Sequence, residues 1–122
     1  MQRGEVVVVE FVHSDLLSSS MRPALVVQSD HNNRRIGNTI VAQITSRLRL
    51  LNEPTRLLID PATPEGQASG LHMPSVVTCE NLLTLGENLI HATIGHLPDA
   101  TMKKIDDCLK AALGVPCPSI RG

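Results

Sequence analysis

The chain has 122 residues with a formal net charge of -1; 42% are apolar and 19% charged. That is one domain's worth of sequence, residues 1–122, with enough apolar side chain to bury a core and no run of like charge that would keep it disordered. Phe11 is the single aromatic residue, with no Trp or Tyr, which excludes a module that stacks successive bases on aromatic platforms.

The chain opens on a strand, Glu5 to Phe11, whose four consecutive valines are β-branched and too few for a helix; such a run predicts burial on both faces. A polar loop, His13 to Ser20, leads to a second strand from Arg22 to Gln28. Pro23 fits there only near a strand start or on an edge. Ser29 and Asp30 mark a turn or cap, and Asp30 to Arg35 reads as a short helix with Asp30 as N-cap, stopped at Gly37-Asn38. Strands follow at Thr39 to Ile44 and Arg56 to Ile59.

Asp60 to Gly70, with two prolines and two glycines, reads as an exposed loop. Strand character resumes at Ser75 to Cys79. Leu82 to Leu97 fits neither period cleanly, with Gly86 and Gly95 as breaks. Pro98 to Leu113 is a helix: Met102, Ile105, Leu109 and Ala112, flanked by Cys108 and Leu113, share a face, and Gly114 and Pro116 end it. Many short strands before one terminal helix predict a mostly β, α+β fold, a small bent antiparallel sheet or barrel with a helix packed on it.

Chemistry-bearing residues are sparse. Cys79, Cys108 and Cys117 have neither disulfide nor zinc spacing and read as incidental thiols. The five histidines show no metal-ligand spacing, so no metal site is expected. His13 stands out because it shares its loop with Ser14, Asp15 and further serines. The phosphate-loop, serine-hydrolase, zinc-protease and dinucleotide signatures are all missing. The one dense apolar run, Val6 to Val9, is far too short to cross a membrane, and a reducing, cytoplasmic setting is expected. Between Met21 and Arg56 lie six arginines against Asp30 and Glu53, a local excess of about +4, while every lysine sits in the terminal helix. Arginine's planar fork suits bidentate phosphate contact.

Arg3-Gly4-Glu5-Val6-Val7-Val8-Val9-Glu10-Phe11, then Ser14-Asp15, then Arg22-Pro23-Ala24-Leu25-Val26-Val27 resembles the MazF/PemK-like toxins of bacterial toxin–antitoxin pairs. The likeness continues through Val41 to Ser46, Gly70-Leu71 with Pro74 to Val77, Ile94 to Leu97 and Ala112-Leu113-Gly114, nearly the whole chain. The resemblance implies an SH3-like small barrel with a C-terminal helix, a homodimer, and cleavage of single-stranded RNA without metal or cofactor. It implies a catalytic pair at Arg22 and Thr45. It also implies RNA contacts from the loop residues His13, Ser14, Asp15 and Ser20, from Ser46 and Arg47, and from Asn81 as a base reader.

A cognate acidic antitoxin is the implied partner, covering a surface of Arg22 and Arg47 with Arg34 or Arg35. No membrane partner is expected. Met21, Gln43 and Glu80-Asn81 stand where the family often has a basic or polar residue, a proline and a D-Q pair, so base preference is expected to differ. Toxins of this fold that bind DNA gyrase and cleave nothing form the alternative, as does an inactive relative. The presence of both Arg22 and Thr45 in their blocks favours the nuclease.

Overall fold

In the computed structural model, which describes residues 1–12, 15 and 17–116, six strands form one antiparallel sheet. They are β1 (Glu5–Val12), β2 (Ser19–Val26), β3 (Asn38–Thr45), β4 (Arg56–Ile59), β5 (Ser75–Gly86) and β6 (Ile90–His96). Their spatial order is β4-β5-β3-β2-β1-β6. Three α-helices accompany them among the described residues: α1 (Asp30–Arg35), α2 (Pro64–Ala68) and α3 (Asp99–Leu113). The expected mostly β architecture with a C-terminal helix is therefore the observed one.

Alternation along the strands divides the apolar residues between two cores. Val6, Leu25, Ala42, Ile44 and Val77 face α3, meeting Met102, Ile105 and Cys108. Val7, Val9, Ala24, Val26 and Val41 form the second cluster with Leu85, covered by Phe11, Leu83, Leu89 and Ile90. Among the described residues no α-helix lies on that second face; Leu89, from the short 3-10 helix Glu87–Leu89, is part of its cover, and the sheet curls over the rest. A shift in the β3–β5 register between Ala42 and Gln43 and two shifts in the β1–β6 pairing supply the curvature. The valine run is buried on both faces, as its pattern predicts, except that Val8 is only half-buried.

Several element boundaries differ from the sequence reading. Ser29, not Asp30, caps α1, its side chain accepting from the Asn32 amide; Asp30 instead accepts from the Arg3 backbone N–H at 2.6 Å. The stretch read as an exposed loop contains α2, capped by Thr63 with Pro64 in its first turn, and buries Gly66 and Ser69. β5 runs on to Gly86, and Gly95 lies inside β6 instead of breaking it. On α3, Met102, Ile105 and Cys108 are buried as expected, Thr101 joins them, and Leu113 is exposed. Gly114 ends α3 in the left-handed conformation.

Pro23 lies in the middle of β2, which has a neighbour on each side. It is tolerated because β2 pairs with β1 along its length but with β3 only from Ala24 onward. At Pro23 the strand is an edge on the β3 side, where a missing N–H leaves no ladder bond unmade.

Candidate active site

The parting of β2 from β3 opens a cavity between them. Ala24 pairs with Gln43 and Leu25 with Ala42; the same register carried two residues further would set Arg22 opposite Thr45. The ladder stops before that point, and Arg22, Pro23, Ile44 and Thr45 line an open cavity of about 380 Å³. Met21, Val8 and Ile94 add apolar wall, and Ser46, Ser75 and the turn Gly70 to Met73 complete the lining.

Arg22 is exposed. Its Nε donates to Ser20 Oγ at a long 3.4 Å, and among the described residues it meets no carboxylate. A guanidinium without a counter-ion, facing an open cavity, is free to take an anion. Thr45 is half-buried at the end of β3. Its Oγ1 accepts the Arg47 amide at 3.1 Å. A hydroxyl that accepts from the backbone still has its own proton to give, and among the described residues nothing takes it.

The other expected contact residues fall in different places. Ser46 lines the cavity and Arg47 follows it, exposed. Ser20 touches Arg22 but does not line the cavity. Asp15 is a turn former: its carboxylate accepts from the amides of Leu17 at 2.9 Å and Ser18 at 3.2 Å. Those bonds, Leu17's first, hold its pKa below the usual carboxylate range. Asn81 lies in the irregular part of β5, exposed, donating to Thr78 Oγ1 at 3.2 Å, and is not part of the cavity. His13 and Ser14 lie outside the described residues. Arg34 and Arg35 sit on α1, which follows the opposite end of β2 from Arg22, so they do not belong to this site.

Residue reading missed His72, which lines the cavity beside Arg22 and Thr45. No motif marks it; only the packing of the α2–β5 turn against Ile94 brings it there. Among the described residues no three His, Cys, Asp or Glu side chains are placed to hold a metal ion, and no helix is long and apolar enough to cross a membrane. Cys79, beneath α3, and Cys108, on the buried face of α3, are free thiols. Burial pushes the Cys79 thiol up to about 12, which leaves it unreactive. Cys117 lies outside the described residues.

The family described as PemK-like, MazF-like toxin of type II toxin–antitoxin system matches residues 2–113. The chain belongs to this family. It is 33% identical over 95 residues to the Endoribonuclease EndoA of Bacillus subtilis, covering 78% of each chain. It is 28% identical over 118 residues to the Endoribonuclease MazF of Staphylococcus saprophyticus, covering 94% of this chain and 92% of that one. Among solved structures it is similar to a mycobacterial endoribonuclease in complex with its cognate antitoxin. There the TM-score is 0.75 at 28% identity, over 97% of this chain and 99% of the other.

Proposed function

We propose that this toxin-family member is an endoribonuclease that cleaves single-stranded RNA, mRNA above all, in the cavity shared by Arg22 and Thr45, without a metal ion or cofactor. It works in the cytoplasm as a homodimer that a cognate acidic antitoxin holds silent. The observation that carries the reading is the juxtaposition, on one open cavity, of a guanidinium with no counter-ion and a hydroxyl whose proton is unclaimed among the described residues. The similarity to named endoribonucleases over most of the chain supports the reaction class.

The chemistry follows from those two groups. The substrate's 2′-hydroxyl attacks the adjacent phosphorus, negative charge builds on the phosphoryl oxygens and the departing 5′-oxygen, and a 2′,3′-cyclic phosphate and a 5′-hydroxyl result. Arg22 answers both charges electrostatically, since a guanidinium keeps its protons in any protein. Thr45 donates its hydroxyl proton as a hydrogen bond to a non-bridging oxygen. Ser46 and Arg47 extend the contact along the backbone, and Ser20 steadies Arg22. His13, Ser14 and Asp15 add further RNA contacts. Asn81, beside the Thr78–Gln43 pairing, meets a flanking base.

The test is a long single-stranded RNA incubated with the protein in excess EDTA, with fragment ends mapped. Cleavage giving 5′-hydroxyl ends, abolished in Arg22→Ala and blocked by a 2′-deoxy residue at the cut site, is expected. Full activity in Arg22→Ala would overturn the assignment, and cutting of the 2′-deoxy substrate at the normal rate would replace the 2′-hydroxyl with water as nucleophile.

A further inference from the structure

Arg22 and Thr45 leave one requirement of the reaction unmet. Both act by donating, and attack by a 2′-hydroxyl also needs an acceptor for its proton. A guanidinium is always protonated and offers no acceptor, and the Thr45 oxygen, which also accepts the Arg47 amide, belongs to a neutral hydroxyl too weakly basic to carry a proton away. The described residues that line the cavity include no carboxylate. Besides Arg22, His72 is the one ionisable side chain among them.

His72 is exposed and its ring has no hydrogen-bond partner among the described residues, so a lone pair is available in the neutral form. The turn that carries it is held on both sides. Leu71 N donates to the buried Ser69 Oγ at 3.2 Å, and Ser75 Oγ donates to Met73 O at 3.0 Å. The other described histidines are placed differently: His31 contacts Arg35, His91 contacts Glu10 at 3.1 Å, and His96 lines a separate cavity.

We infer that His72 is the general base of this site, an inference that rests on the reading of the cavity as an RNA-cleaving centre. As the 2′-oxygen bonds to phosphorus, the neutral imidazole takes the hydroxyl proton. The P–O5′ bond breaks with its electron pair on O5′, which takes a proton from solvent, and the imidazolium returns its proton to solvent. No proton is gained or lost overall. Imidazole exchanges protons near neutral pH, and the protonated ring accepts nothing. Among the described residues Arg22, from β2, is the only charged group facing this space from the lining elements, and its charge is constant across that range. Activity therefore falls on the acid side as the ring protonates.

The test is single-turnover cleavage of a short RNA by wild type, His72→Ala and His72→Gln from about pH 5 to about pH 9, with and without added free imidazole. His72→Ala should lose about a hundredfold at neutral pH, lose the acid-side fall, and regain rate with imidazole while its melting temperature stays put. His72→Gln, polar but not basic at neutral pH, should be as slow. Wild-type rate and pH profile in His72→Ala, or a slow variant that keeps the acid-side fall and ignores imidazole, would overturn the assignment. Those results with an active wild type and an inert Arg22→Ala count against His72 alone. A wild type that cuts no RNA defeats both readings.

Discussion

Thr45 shows how a single backbone contact sets the direction of a side chain's chemistry. Because its Oγ1 accepts the Arg47 amide at 3.1 Å and no described group takes its proton, the hydroxyl is set up to act on substrate as a donor. Thr45→Val keeps the β-branched shape and removes the hydroxyl, taking away both the proton it can donate and the acceptor of the Arg47 amide, whereas Thr45→Ser keeps both. The cleavage rate of Thr45→Val should fall about a hundredfold, the scale set by losing one preorganised donor, whereas Thr45→Ser should retain most of the activity. Stability should move by less than ~1 kcal/mol in either variant, since the residue is half-exposed at a strand end. Single-turnover rates and thermal melts on the two proteins check both halves. Equal rates for Val and Ser would remove the hydroxyl from the mechanism.

At the scale of elements, the wall of the cavity depends on how closely α2 approaches β6. Gly70, at φ 75°, has room for no side chain: a Cβ there would lie 2.0 Å from the Ile94 carbonyl oxygen. From the other side, a Cβ on Gly95 would lie 2.3 Å from Ala68 O. Gly70→Ala should therefore cost on the order of 2–4 kcal/mol, combining left-handed strain with overpacking, and should weaken cleavage because Gly70 and Ile94 both line the cavity. Gly37→Ala, with nothing within 4 Å of its Cβ, is the control and should stay within about 0.5 kcal/mol. Urea unfolding of the two variants measures the difference.

The same contacts explain what could be read from the sequence. β1 to β4, α1 and α3 announce themselves through valine-rich runs, helical spacing and end signals. α2 has only five residues and no apolar period; Thr63 followed by Pro64 was its one signature, hidden among turn residues. Gly95 looked like a break because glycine's need here is set by Ala68, far away in the chain. Arg22 and Thr45 stood out only through family likeness, since each is locally an ordinary strand residue. His72 is outside any local pattern, because the surface it joins exists only where β2 and β3 part.

For the whole molecule, an overall charge of -1 conceals an uneven distribution. Arg3 pairs with Asp106 and Arg56 with Glu80, each at 2.5 Å, while Arg22, Arg34, Arg35, Arg47 and Arg49 make no ion pair among the described residues. The unneutralised arginines divide into a group at the cavity end of β2 and β3 and another on α1 at the far end. An acidic antitoxin segment that competes with RNA should engage the first group, mimicking phosphate charge at Arg22 and Arg47 and laying apolar side chains against Met21 and Ile94. Steering between opposite charges is screened beyond roughly 10 Å at 0.1 M salt. The association rate should fall steeply with ionic strength, slow in Arg22→Ala and Arg47→Ala, and hold in Arg34→Ala. Stopped-flow binding with a labelled cognate antitoxin, run beside an RNA competition assay, measures this. A salt-independent association rate, with bound toxin still cutting RNA, would place the antitoxin on a surface away from the cavity.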